Sequence, residues 1–399
     1  MYVKQLNDTK FPIVLIRFYV FAVVVGFLYS ICFNCYNGDF LNYPVMVHPA
    51  LVWLNFLLSL CPFWGLKYIY TKINRFDCPR FLKVPTKFIQ IFAFVIIIFH
   101  LITSLLFGVD KAESGGYSAP PFLVPFIQIS LRLPYLLWGG IAVLVSHKRK
   151  TVFFYLSLIV LVSLSKGYFA IFITVFFLYF LKYPDDIRGI FKTYKVFIIL
   201  LLLIIPNILS LLYNVRNELR GNNIKEEYGA IEMVAGKFIG RLSSISDSGY
   251  LLENSITFIP TTIQFDNFFF QRNMLRVFKG DLGTPITPEE ILYKKGEIYD
   301  DSNSEKKSSF MLGTQGILIY SLFKSFTSFF VNLTTIILVV YLILNIFSKI
   351  KVFNSLNFGL LLTISPVTSG VSSEYSSVLI SSILLFIIVL LYNSFKKSI

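Results

Sequence analysis

Charge is what this chain has least of. Asp, Glu, Lys and Arg make up 15% of the residues, against roughly 25% in a soluble domain. Hydrophobic residues make up 55%, with a mean hydropathy of +0.70. Polar surface is too scarce to cover a water-exposed fold, so soluble architectures are excluded and lipid is the expected solvent. Cysteine is nearly absent: Cys32, Cys35, Cys61 and Cys78 offer one lone C-x-x-C without a second pair, which reads as incidental thiols. His48, His100 and His147 lie far apart and form no ligand cluster, so no metal and no cofactor are expected. The chain has no P-loop, no dinucleotide glycine fingerprint, no DxD pair and no HExxH. Nucleotide-driven pumping, nucleotide-sugar transfer and zinc proteolysis therefore lack their parts. No internal repeat relates two halves, which argues against an inverted-repeat transporter. The opening MYVKQLNDTK leads into a long apolar run without a small-residue cleavage pattern, so the first span reads as a retained helix.

What the chain does have is apolar runs. A bilayer core of about 30 Å asks for roughly 20 residues of helix. That window predicts about ten spans: Phe11–Phe33, Pro49–Tyr68, Phe88–Val109, Pro125–Ser146, Val152–Leu164, Tyr168–Leu181, Val196–Tyr213, Phe326–Phe347, Leu356–Ser365 and Val378–Tyr392. The fifth, sixth and ninth are short. The expected fold is an all-α polytopic membrane protein with helices one to seven in residues 1–213, one large extracytoplasmic loop in 214–325, and helices eight to ten in 326–399.

Cation placement tests the count independently, because cytoplasmic loops hold the excess of Lys and Arg. Basic residues cluster in Lys67–Lys87, in Lys148-Arg149-Lys150, in Lys182–Lys195, at Lys349 and Lys351, and in the Lys396-Lys397 tail. Ten spans with both termini cytoplasmic put all of them on one side. Eight spans would do so too if both short pairs were re-entrant.

The large loop is longer than a structureless connection in a compact protein, so it must fold. Ile231, Val234, Ala235, Phe238, Leu242 and Ile245 recur at helical spacing and predict an amphipathic helix, with Lys237, Arg241, Ser244 and Ser248 on its other face. The later GDLGTPITPEE and KKGEIYDDSNSEKK stretches read as a polar lid. Phe268-Phe269-Phe270 with Arg272 and Arg276 reads as an interfacial anchor.

Several charged residues stand out as site candidates. Arg216 and Arg220, at i and i+4 beyond the seventh span, repel each other and oppose the positive-inside trend. A phosphate or pyrophosphate clamped between two guanidinium groups would remove the conflict; snorkelling toward headgroups is the alternative. Lys166, in Ser165-Lys166-Gly167, and Arg132, inside the fourth span, are intramembrane cations and so point to an anion or an aqueous cavity. For Lys166 the competing reading is the tip of a tight helical hairpin. Arg17 reads as a cation snorkelling to the cytoplasmic side. Asp247, Glu253, Glu218 and Glu374 are the carboxylates placed to deprotonate a hydroxyl.

These features together resemble the O-antigen polymerases (Wzy) of bacterial polysaccharide assembly. The similar residues are Ser165-Lys166-Gly167, the basic loop opening with Arg216 and Arg220, Gly240-Arg241 in the loop helix, and the Gly313-x-x-Gly316 turn before the next long span. The resemblance implies a fold like the membrane glycosyltransferase class C. It implies glycosyl transfer between undecaprenyl-diphosphate-linked oligosaccharides at the periplasmic face of the bacterial inner membrane. It also implies a chain-length regulator as a protein partner and no nucleic acid. Arg216, Arg220, Arg241, Lys166 and Arg132 would then carry the charge of the leaving pyrophosphate without a metal. Asp247, Glu218 and Glu253 would compete for the role of general base. Related O-antigen ligases use a histidine in the large loop, and here residues 214–325 contain none, which lowers the ligase reading. A lipid-linked oligosaccharide flippase is the alternative of a different class; it would line a path through the membrane with cations, whereas here they gather toward one surface. Arg216→Ala and Arg220→Ala are each expected to abolish or severely reduce polymer while the protein stays in the membrane fraction, read by glycan gel and immunoblot.

Overall fold

A computed structural model describes residues 8, 10–75, 82–109, 119–166, 168, 171–186, 189, 204, 206–211, 214, 229–279, 287–295 and 311–397. Among these, secondary structure is helical apart from two isolated bridges, Cys35 with Pro44 and Leu82 with Ile350. Five helices are long and apolar enough to cross a membrane: α1 (Phe11–Phe33), α2 (Pro49–Arg75), α3 (Thr86–Phe107), α12 (Phe326–Lys349) and α14 (Ser372–Lys397). Their outward faces carry side chains no soluble protein would leave bare, among them Phe21 at 58%, Ile91 at 66% and Leu106 at 71% exposure. The protein is a helical, membrane-embedded bundle.

The expected fourth span is not one helix. It divides into α4 (Val124–Leu131) and α5 (Tyr135–Val145), bent by 61° across Arg132-Leu133-Pro134. Pro134 disfavours helical backbone at Leu133 and cannot donate a hydrogen bond, so the chain turns there. The carbonyls freed by the break find partners. His100 Nε2 lies 3.1 Å from the Leu133 oxygen, and Ser381 Oγ donates to the Arg132 oxygen at 3.1 Å. Counted as one, the bent pair makes a sixth span.

The short expected spans are short helices: α6 (Arg149–Ser165), α7 (Ile171–Lys182) and α13 (Ser355–Ser369). At 1.5 Å per residue, the 12 residues of α7 reach about 18 Å and the 15 of α13 about 22 Å. Neither crosses a bilayer unaided. The expected seventh span, Val196–Tyr213, lies mostly outside the described residues.

Helix α13 is the post around which the bundle packs, touching α1, α2, α5, α7, α12 and α14. Nearly every residue along it is buried. Its lower end is tied by amides: Asn354 Nδ2 donates to Leu181 O at 2.7 Å, Asn357 Nδ2 donates to Asp8 O at 2.8 Å, and the Tyr70 hydroxyl donates to Asn357 Oδ1 at 2.5 Å. Close by, Leu82 bridges Ile350, and Lys83 N donates to Asn393 Oδ1 at 3.1 Å. Asp8 near the start of the chain and Asn393 near its finish therefore lie at the same end of the bundle. Lys72, Arg75, Lys83, Lys182, Lys349 and Lys351 belong to this end as well.

The large loop folds back onto the opposite end. A π-helical stretch, Glu232–Ile239, continues through Gly240–Ser243 and breaks at Ser244, whose φ is 49°. Helix α8 (Ile245–Glu253) follows, then α9 (Phe269–Lys279), α10 (Pro288–Lys295) and α11 (Gly313–Lys324). The expected continuous amphipathic helix is thus two helices, and the predicted apolar face is buried only toward its end, at Ile245 with Leu242 packed against the core. Met233, Gly236, Gly240 and Ser243 pack inward, while Ile231 is 61% exposed. The glycines let the backbones approach: a β-carbon at Gly236 would meet Leu41 Cδ1 at 2.6 Å and one at Gly240 would meet Gly38 N at 2.3 Å. The Phe268–Phe270 anchor is likewise split: Phe268 is exposed, but Phe269 and Phe270 are buried, the latter edge-on to Tyr375 at 5.7 Å. Asn354→Ala removes three hydrogen bonds at the foot of α13 and leaves a β-carbon in left-handed backbone. A loss of about 1–3 kcal/mol is expected, read as a lower Tm in detergent.

Candidate functional site

Two backbones meet at the loop end of the bundle. The turn Asn37-Gly38-Asp39-Phe40 after α1 lies against Gly240-Arg241, so close that a β-carbon at Gly240 would sit 2.3 Å from Gly38 N. Gly38 itself has φ +67°, open to glycine at little cost. This approach sets Asp39 against Arg241. Arg241 Nε donates to Asp39 Oδ1 at 2.6 Å, and a terminal guanidinium nitrogen reaches the same oxygen. The Asp39 side chain is 10% exposed and that of Arg241 38%, so the pair presents its cation outward.

The segment after Arg241 is polar and buried. Ser246 Oγ donates to Asn37 Oδ1 and accepts from Asn37 N, while Ser248 Oγ donates to Asn55 Oδ1 at 2.8 Å. Asn55 Nδ2 donates to Ile245 O at 2.7 Å, Ser244 Oγ donates to Thr368 O at 2.7 Å, and Gln315 Nε2 donates to Ser244 O at 3.2 Å. Each serine is held from a different element, and between them stands Asp247. Asp247 is 1% exposed, and its Oδ1 is buried without a hydrogen-bond partner. Burial pushes its carboxyl well above the usual carboxylate range; the charge of Asp39 pushes the same way, and Arg241 opposes both. A buried carboxyl with raised proton affinity and one unpartnered oxygen can exchange a proton with a hydroxyl brought to that oxygen.

The other predicted residues are placed differently. Glu253 is a bridge: its Oε2 accepts from the Tyr36 hydroxyl at 2.7 Å and its Oε1 from Met46 N at 3.1 Å. Lys166 caps α6 and is 2% exposed, with Nζ 3.1 Å from His100 Nδ1 and 5.0 Å from the centre of the Tyr135 ring. The other ring nitrogen, Nε2, faces the Leu133 carbonyl, so the imidazole is held between the bend and the lysine. Lys166 is thus enclosed in a corner of α3, α5 and α6, away from solvent. Arg132 is half-buried at the α4–α5 bend. Arg216, Glu218 and Arg220 lie outside the described residues.

Sequence reasoning passed over Asp39, His100 and Glu289. Asp39 sits in a short turn with no helical or motif spacing, and His100 looked solitary because its partner is 66 residues away. Glu289, in the stretch read as a polar lid, is 5% exposed on α10, and burial raises its carboxyl to about 7, with Glu290 and Glu374 adding repulsion. Glu374 Oε2 accepts from Ser369 Oγ at 3.0 Å and Ser365 Oγ at 3.2 Å, next to the Thr368 carbonyl that holds Ser244. No family model matches the chain, and no curated protein or solved structure matches it.

Folding raises the Glu289 pKa from 4.5 to about 7, so the folded state binds this proton more tightly than the unfolded chain. The group's contribution is full below pH 4.5 and is lost as the pH rises through 7. Glu289→Gln is expected to flatten the fall in Tm between pH 5 and pH 8, with a gain on the order of 3 kcal/mol at the upper end. An unchanged pH profile in the variant would show that Glu289 ionises freely.

Proposed function

We propose that this chain is an O-antigen polymerase. It joins oligosaccharide repeat units by metal-independent glycosyl transfer between undecaprenyl-diphosphate-linked glycans at the periplasmic face of the bacterial inner membrane. About ten spans with both termini cytoplasmic, a fold like the membrane glycosyltransferase class C, and a chain-length regulator as partner belong to the same reading. The observation that carries it is Asp247, a buried carboxyl with one unpartnered oxygen, set beside an outward-facing arginine at one end of a lipid-facing bundle.

The chemistry needs two things at adjacent points: a proton acceptor for the attacking hydroxyl and positive charge for the departing diphosphate. Asp247 supplies the first. Its raised pKa makes it a stronger base once it has lost its own proton. As the acceptor oxygen bonds to the anomeric carbon, the hydroxyl proton passes to Asp247. The bond from that carbon to the diphosphate oxygen breaks, and its electron pair leaves with the lipid diphosphate. Arg241 supplies the positive charge, joined in this reading by Arg216 and Arg220. Lys166 would contribute only after leaving His100, and Arg132 is a further cation in this reading.

The test is reconstitution of purified protein with one lipid-diphosphate-linked repeat unit. A ladder of lengthened glycans with release of lipid diphosphate is expected, and Asp247→Asn should slow the ladder by about 10²–10⁴-fold while the protein elutes as a monodisperse peak. Movement of unchanged substrate across the vesicle bilayer without a ladder would make the chain a transporter instead.

A further inference from the structure

Helix α2 ends in a stripe that faces away from the bundle. Phe63, Leu66, Tyr70 and Ile73 are buried, while Trp64, Lys67, Tyr68, Lys72 and Arg75 are exposed on the opposite side. Spacings of three and four residues stack those five side chains over roughly 16 Å of helix. The aromatic rings lie deeper in the membrane, and the cations crowd toward the basic end of the bundle. Among them is a shallow depression of about 370 Å³, lined by these five residues and Thr71, within the size range of a small-molecule site.

Three observations separate this stripe from cations that merely snorkel. Charge is left unmatched: Arg149, Arg241 and Arg272 meet Asp186, Asp39 and Asp266, whereas Lys67, Lys72 and Arg75 meet no acid among the described residues. Like charges on one helix face repel, and an anion set among them removes the conflict. Lys72 is also held in place, its Nζ 5.4 Å from the centre of the Tyr68 ring, so that the ammonium stays beside the depression. The last observation is Gly65, one turn before Tyr68 and two before Lys72 on the exposed side. Glycine weakens a helix interior relative to alanine. At Gly139, Gly140 and Gly359 a close neighbour accounts for it, but a β-carbon at Gly65 would meet no atom within 4 Å. Nothing in the described protein fills that space.

We propose that this stripe binds an anionic phospholipid from the leaflet that faces the basic end of the bundle. The phosphate sits among Lys67, Lys72 and Arg75, the glycerol beside Tyr68, and an acyl chain runs past Gly65 along Trp64. Arg75 can offer a guanidinium fork to two phosphate oxygens, and the lysines add point charges. A zwitterionic headgroup brings its own cation to the same place and is disfavoured. The site lies at the opposite end of the bundle from Asp247 and does not depend on the glycosyl-transfer reading.

The experiment titrates the full-length protein in detergent with phosphatidylglycerol and with phosphatidylcholine, counting bound lipid by native mass spectrometry. At about fivefold per cation, Lys67→Gln, Lys72→Gln and Arg75→Gln together are expected to weaken phosphatidylglycerol on the order of 100-fold. Lys148→Gln, Lys150→Gln and Lys351→Gln remove the same charge from other exposed positions at that end. They are expected to change binding by no more than about threefold, the scale of screened general attraction. Gly65→Leu fills the flat side of the helix without altering charge and is expected to lower the bound fraction. The substituted positions are exposed, and Tm and elution verify the fold. Equal losses in the two triple variants would overturn the proposal, as would phosphatidylcholine binding as tightly as phosphatidylglycerol. So would undiminished binding in Gly65→Leu. Glycerol 3-phosphate is expected not to displace the lipid; displacement would assign the cations to a free phosphate compound and overturn the lipid as occupant.

Discussion

A polar strip of chain, Ser243 to Ser248, runs through the interior of a bundle whose outside faces lipid, and the loop end of the molecule depends on how that strip is satisfied. An unpaired peptide or hydroxyl group in such a place costs far more than it would in water-filled surroundings. Asn37 from the turn after α1, Asn55 from α2, Gln315 from α11 and the Thr368 carbonyl from α13 each take one part of it. Four elements distant in sequence are therefore pinned around one short segment. Within Ser243–Ser248 the buried side-chain atom left without a partner is the Asp247 oxygen Oδ1. Trp138 Nε1, Gln271 Oε1 and Asn332 Oδ1 are buried without partners elsewhere; the Asp247 oxygen differs from them in belonging to an acid whose proton affinity the Asp39 and Arg241 charges both affect.

The second polar insertion, at the α4–α5 bend, is resolved in the same way and with a different result. Pro134 opens the helix, and His100 and Ser381 accept the task of pairing the released carbonyls. The histidine's remaining ring nitrogen then receives Lys166. A lysine that looked like a free intramembrane cation is thus part of the apparatus that closes a broken helix. Both insertions show that in this protein a charged residue's meaning depends on what backbone lies nearby.

Helix existence was legible from the chain because hydropathy is a local, additive property: the long apolar runs are helices close to where the window put them, from Phe11–Phe33 through Phe326–Lys349. The break at Pro134 was written in the sequence too, in a residue whose backbone chemistry is known in advance. The loop helix was misread for a physical reason. Periodicity of Ile231, Val234 and Phe238 identifies an apolar face but not the neighbour it meets, and the contact surface is the row of Met233, Gly236, Gly240 and Ser243. Among the candidate residues, Asp247 and Arg241 were singled out by type. Glu253 was found by type as well, yet both its oxygens serve to bridge Tyr36 and Met46.

The sequence alone determined that this is a membrane bundle, where its apolar helices run and that its cations favour one end, since each follows from transfer energies summed along a contiguous stretch. Only the tertiary structure decided which ionisable groups share an environment. Asp39 and Arg241 are 202 positions apart, and Lys166 and His100 are 66. Coulomb and desolvation energies depend on separation in space and on burial, and neither is recorded in the order of residues.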